Sequence, residues 1–230
     1  MSKTFSLHAI DKINDIFENH DNHVGSELKR QHPDKYKDYM SSDCITMAIW
    51  VLKYAFEKIG KPDVASKVGT LGEKGTSLAK YLISHHNWNG VYYNPDVNHP
   101  LDGDGEHTFS YYNQVKKRCQ YSVARVPVNR KVINYSPNTK KVNQYLNLTE
   151  KTMVNYNLFK KVPFGLGMSR GGSHVWLYSK GEVMESHWSS IGADLYTQTA
   201  LSKFQWHSGI IVTPPDYRHL LSQISEVKCG

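Results

Sequence analysis

The stretch GSHVWLYSKGEVMESHW, residues 172–188, decides how this chain folds. From His174 the residues alternate along an apolar strand, break at Lys180-Gly181, and resume through Val183, Met184 and Glu185. That pattern reads as two antiparallel strands joined by a tight turn. His174, Trp176 and Tyr178 fall on one face, so a titratable imidazole opens a strand that should bury that face. Glu185 and His187 share a parity on the return strand, and either can lie near His174.

Working outward, the C-terminal part of the chain is β-rich: VPFGLGMS (162–169) precedes the hairpin and FQWHSGIIVTPP (204–215) follows it. The N-terminal part is helical. Residues 4–20 carry Phe5, Ile10, Ile13, Ile16 and Phe17 at helical spacing. Residues 21–40 are polar, a loop with a short helix near Tyr36–Met40. Then SSDCITMAIWVLKYAFEKIGKP (41–62) begins with a cap, Ser42 or Asp43, and ends at Gly60 and Pro62. Its first turns are apolar on nearly all sides, which marks a central, buried helix. A second helical region spans about Val64–His86, interrupted by glycines. Residues 88–107 read as a long loop, 108–120 and 148–158 as helices, and 121–135 as a strand pair demoted by Pro127. Helices first and an antiparallel meander after them make an α+β fold in a single domain, 1–230, with residues 1–40 as a helical extension.

The 230 residues suffice for one sizeable core, and 39% apolar with 12% aromatic content marks a folded chain. No window is apolar for the ~18 residues that a membrane helix needs. The N-terminus has no continuous hydrophobic region of the secretory type, so synthesis in the cytoplasm without a signal peptide is expected. Injection by a specialised system into another cell stays open. The formal charge is +7 and the pI about 9.1. Such charge suits an anionic polymer, or merely aids solubility. The basic residues are dispersed and no nucleic-acid signature accompanies them, so nucleic acid is not the expected partner.

Three cysteines, Cys44, Cys119 and Cys229, are widely separated and form no CxxC. That argues against a disulfide scaffold and a thiolate metal site; at most one pair could form. Cys44 stands one residue past the expected cap, in the first turn of the buried helix. There the unpaired amides and the helix dipole favour a thiolate and can hold an oxyanion. It reads either as a nucleophile or as a small packing residue. A thiolate nucleophile needs a base and then an acid, and imidazole serves as both near neutral pH. His174 is the best placed of the twelve histidines. A third polar group would fix its tautomer; Glu185 suits this best, since a carboxylate also offsets positive charge, with His187 as the alternative.

Other clusters carry less. His85-His86, with His99 and His107 nearby, suggest a metal, but adjacent helical histidines point about 100° apart. DGDGE (102–106) lacks calcium-loop spacing, and FGLGMSRGG (164–172) lacks the lysine and following helix of a phosphate loop. No cofactor or metal is expected.

DCITMAIWVL resembles the Asp-Cys motif that opens the catalytic helix of NlpC-like cell-wall peptidases, within the papain-like superfamily. SHVWLYSKGEVMES resembles that family's second motif: a His-Val strand start, a tyrosine four residues on, a glycine turn, and a return strand with the third polar residue. The two stretches total about 25–30 residues, with cysteine before histidine by 130 positions. The resemblance implies a papain-like fold, with the catalytic helix packed on the C-terminal sheet. It implies Cys44 as nucleophile, His174 as base and Glu185 as third residue, in a hairpin one residue tighter than usual. Ile45-Thr46 stands where the family commonly has Ser-Gly, and its third residue is usually histidine. Residues 88–107 would then be a lid or a specificity element. The implied activity is hydrolysis of amide bonds in peptidoglycan stem peptides. The implied setting is an antibacterial effector of type VI secretion, with a secretion apparatus and a cognate immunity protein as partners. A papain-like acyltransferase, or a basic binding module with an inert Cys44, are the competing readings.

Overall fold

The computed structural model describes residues 4–71, 75–93, 123–125, 162–169, 174–200 and 209–217. Within them the chain is α+β: helices α1 (Phe5–Glu18), α2 (Ser26–Gln31), α3 (Cys44–Lys58), α4 (Pro62–Gly69) and α5 (Gly75–His86) accompany two sheets. Strands β1 (His23–Gly25) and β2 (Met40–Ser42) form a small parallel pair. Strands β3 (Asn89–Tyr93), β4 (Val123–Arg125), β5 (Gly165–Ser169), β6 (His174–Ser179), β7 (Glu182–Ser186), β8 (Tyr196–Ala200) and β9 (Gly209–Thr213) form the main sheet, in the order β4-β3-β9-β5-β6-β7-β8. Only β3–β4 is parallel among these neighbours.

Helix α3 is central because its sequence leaves it no solvent face near its start. Ile45, Met47, Ala48, Val51, Leu52, Ala55 and Phe56 are all buried. The cap is Asp43, whose Oδ1 accepts from the Thr46 amide at 2.8 Å. Ser42 ends β2 instead. At the other end the Lys61 amide donates to Phe56 O at 2.9 Å and the Gly60 amide to Glu57 O at 3.0 Å. This pair of bonds, with Gly60 at φ +75°, is a Schellman stop. Helix α1 packs on α3 through Phe5, Ala9, Ile13 and Ile16, one stripe at helical spacing. Phe5 meets Phe56 at 4.7 Å, Trp88 at 5.3 Å and Phe164 at 5.9 Å, which joins both helices to the sheet through aromatic edges and faces.

The hairpin of β6 and β7 turns at Lys180 (φ 47°) and Gly181 (φ 94°), as its sequence predicts. Strand β6 is buried on both faces, beyond the one-face alternation expected. Val175 and Leu177 join the core beneath the helices, and Trp176 lies over its cross-strand partner Gly167. A Cβ at position 167 would stand 2.2 Å from the Trp176 ring, so only glycine fits there.

Several expectations need correction. Residues 21–40 hold β1 and α2, and the expected helix at Tyr36–Met40 is turn and the start of β2. The 88–107 stretch begins with β3, which hydrogen-bonds to β9, so the sheet is not assembled from the C-terminal part alone. Strand β8 arises from YTQTA, whose polar alternation gives little strand signal. Residues 94–107, 108–120 and 148–158 lie outside the described residues, as does all of 121–135 except β4.

Candidate active site

Cys44 is the first residue of α3, delivered there by β2 and the Asp43 cap. Its amide and that of Ile45 have no partner inside the helix. The side chain is partly buried against the core and forms no disulfide. His174 is the first residue of β6, an inner strand between β5 and β7. Glu185 lies one strand over, on β7. The β6–β7 ladder ends at Leu177↔Met184, and Glu185 is the next residue of β7 beyond it.

Three of the four sequence-predicted residues meet. His174 Nε2 lies 2.5 Å from Glu185 Oε1, with side-chain exposures of 20% and 7%. Cys44 lies close enough to His174 to favour the protonated ring. With Nε2 committed to the carboxylate, Nδ1 is the ring nitrogen left to serve the thiol. Burial of the imidazole is the largest single influence on its titration and opposes protonation. The bonds to Cys44 and Glu185, and the charges of both, overcome it and raise the pKa to about 9. At neutral pH this ring is therefore an imidazolium held between two anion-forming groups. Buried carboxylates are costly unless paired, and Glu185, far from an exposed edge acid, has that pairing.

His187, the alternative, makes a different contact: its Nε2 lies 3.1 Å from Thr197 Oγ1, across the β7–β8 pairing. Two further positions flank the site, and sequence reading missed their roles. Ser42, read only as an alternative cap, and Ser186, the neighbour of Glu185, are buried with their hydroxyls 3.0 Å apart. Both look like ordinary strand-end serines, and only the pairing of distant segments reveals them.

The histidine pair of α5 packs on aromatic rings. His85 lies 5.3 Å from Tyr81, and His86 lies 4.9 Å from Tyr81 and 5.7 Å from Phe56. No group of three or more metal-ligating side chains occurs among the described residues. His99 and His107 lie outside them, as do Cys119, Cys229, Trp206 and most of the expected lid. Trp176 is core, whereas Trp188 is 61% exposed. A cleft of ≈510 Å³ opens between α1 and the outer side of α3, and none of Cys44, His174 or Glu185 lines it. No helix among the described residues is long and apolar enough to cross a membrane.

Compared with known proteins, the chain matches no family model, no curated protein and no solved structure. The geometry of the site therefore carries the functional argument.

Proposed function

We propose that this protein is a papain-like cysteine hydrolase that cleaves amide bonds in peptidoglycan stem peptides. The observation that carries the reading is one imidazole bonded at 2.5 Å to a buried carboxylate and close enough to a helix-terminal thiol for that thiol to favour its protonated form. These residues come from segments 130 and 11 positions apart in the chain. A structural histidine needs one partner of either kind; a thiol–imidazole–carboxylate series is what acyl transfer needs.

In the reaction, the Cys44 thiolate adds to the carbonyl carbon of the scissile amide. The oxygen takes up the negative charge and is met by the free amides at the start of α3, that of Cys44 first. His174 gives its Nδ1 proton to the amide nitrogen, the C–N bond breaks, and the amine leaves. A thioester remains on Cys44. Neutral His174 then takes a proton from water as the water oxygen attacks the thioester. Collapse of the second tetrahedral species releases the acid and returns the thiolate–imidazolium pair. Glu185 holds the ring throughout.

The peptidoglycan substrate rests on the likeness of DCITMAIWVL and SHVWLYSKGEVMES to the NlpC-like motifs, and the charge of +7 suits an anionic wall. An antibacterial role, with delivery into a target periplasm and an immunity partner, belongs to the same proposal. The test is digestion of intact sacculi by the purified protein, with released muropeptides identified by mass spectrometry. Wild type should release cross-bridge or stem-peptide fragments; Cys44→Ala and His174→Ala should release none while melting near the wild-type temperature. Native release by either variant would overturn the assignment.

A further inference from the structure

Four buried polar side chains stand behind the site without entering the chemistry above. Ser186 Oγ lies 3.0 Å from Ser42 Oγ. Ser42 is near enough to Tyr196 to lower its pKa as a donor to the phenol oxygen would. The Tyr196 hydroxyl lies 2.7 Å from His23 Nδ1. All four residues are more than nine-tenths buried: Ser42 0%, Ser186 3%, His23 5% and Tyr196 6% exposed. Each sits on a different short strand. His23 is on β1, Ser42 on β2, Ser186 on β7 and Tyr196 on β8, where it is the direct cross-strand partner of Ser186.

The placement matters because of the neighbours. Ser42 precedes Asp43 and Cys44, and Ser186 follows Glu185. The Ser42–Ser186 bond thus ties the strand that delivers the thiol to the strand that delivers the carboxylate. Among the described residues, apart from the His174–Cys44 approach, the helix and the hairpin meet through apolar packing, which tolerates small slides. A hydrogen bond between buried hydroxyls does not, since a slide leaves both unpaired in an apolar interior. One direction satisfies the whole series: with Nδ1 of a neutral His23 as acceptor, Tyr196 donates to His23, Ser42 to Tyr196 and Ser186 to Ser42. This needs His23 neutral, and burial, aided by the nearby His20 and Lys12 and opposed by Asp15, lowers its pKa. Burial likewise raises Tyr196 to about 12, with Ser42 partly offsetting it, so the phenol keeps the proton that it donates.

We propose that the buried chain Ser186–Ser42–Tyr196–His23 is a positioning device that sets the register between Cys44 and the His174–Glu185 pair. The proposal rests on the reading of Cys44 and His174 as a reacting pair. Its members are positioning residues; none is placed to touch substrate.

The test follows the rate of Cys44 alkylation by iodoacetamide from pH 5 to pH 10, quantified on the Cys44 peptide, so no substrate is needed. In wild type the rate at pH 6 should stay close to that at pH 9. In Ser42→Ala, Ser186→Ala and Tyr196→Phe it should fall about 10-fold at pH 6 and match wild type at pH 10, where the thiol ionises unaided. The Ser42→Ala/Ser186→Ala double variant should be no slower than its slower parent, because one bond is lost in all three. Ser179→Ala, which removes an unrelated hydroxyl bonded to Pro163 O, should lower the melting temperature without changing the profile. If the serine variants fail to fold, Tyr196→Phe, which removes one atom and keeps the ring, decides the matter. Unaltered pH profiles in folded variants of a wild type that reacts at pH 6 would overturn the positioning role alone. A wild type that reacts as an ordinary thiol would overturn the reacting pair, and this proposal with it.

Discussion

Replacing Glu185 with glutamine keeps the shape of the site and removes one charge. The size of the effect follows from the titration of His174. Its rise from 6.5 to about 9 corresponds to roughly 3 kcal/mol in favour of the imidazolium. Burial opposes that rise, so Cys44 and Glu185 together supply more than the net. A hydrogen bond to a charged group contributes about 1.5–3 kcal/mol. Loss of the carboxylate charge should therefore lower the midpoint by about one to two pH units, to roughly 7–8. The ring signals of His174 followed by NMR against pH give the midpoint directly. Stability should follow the same sign. The folded pKa lies above the unfolded one, so this ring's contribution is complete below about pH 6.5 and is lost as pH rises through about 9. The melting-temperature gap between wild type and Glu185→Gln should accordingly be widest near pH 6 and narrow towards pH 10. A midpoint in Glu185→Gln within half a pH unit of wild type would show that the carboxylate does not hold the proton, and the reasoning would fail.

Other expectations separate the site from its surroundings. Glu185→Ala should lower kcat/KM on stem peptides by about 100-fold, whereas His187→Ala, which loses only the bond to Thr197, should stay within about twofold. Asp43→Ala removes the cap of α3 and should cost about 1 kcal/mol, visible as a drop of about 2–4 °C in thermal denaturation. Gly167→Ala pushes a methyl group into the Trp176 ring and should cost about 1–3 kcal/mol or more in urea unfolding, with an altered tryptophan emission.

What could be read in the chain was whatever is local. The Asp43 cap followed by an apolar run places α3 and the thiol at its start, and Lys180-Gly181 places the hairpin and the imidazole. Parity along β7 narrows the third residue to Glu185 or His187 but does not choose between them. The contacts come from packing beyond the sequence: Glu185 bonds His174, whereas His187 bonds Thr197 on β8. Non-local pairing also hid the β3–β9 contact, the strand made from YTQTA, and the serine link, because each depends on a partner more than a hundred residues away or on a strand with no apolar alternation. The 21–40 stretch departs from its expected form for a related reason: β1 and β2 have three residues each, too short for a periodic signal, and are held as strands by pairing with each other and, at Val24, with Ile191.

The most direct test of the thiol–imidazole mechanism is to quench the reaction of wild-type protein with a synthetic stem peptide in acid and map the enzyme by mass spectrometry. A thioester carrying the acyl half of the peptide should appear on Cys44 and on no other residue. Peptide cleavage at the native rate by Cys44→Ala, with no acyl adduct on the wild-type protein, would contradict it.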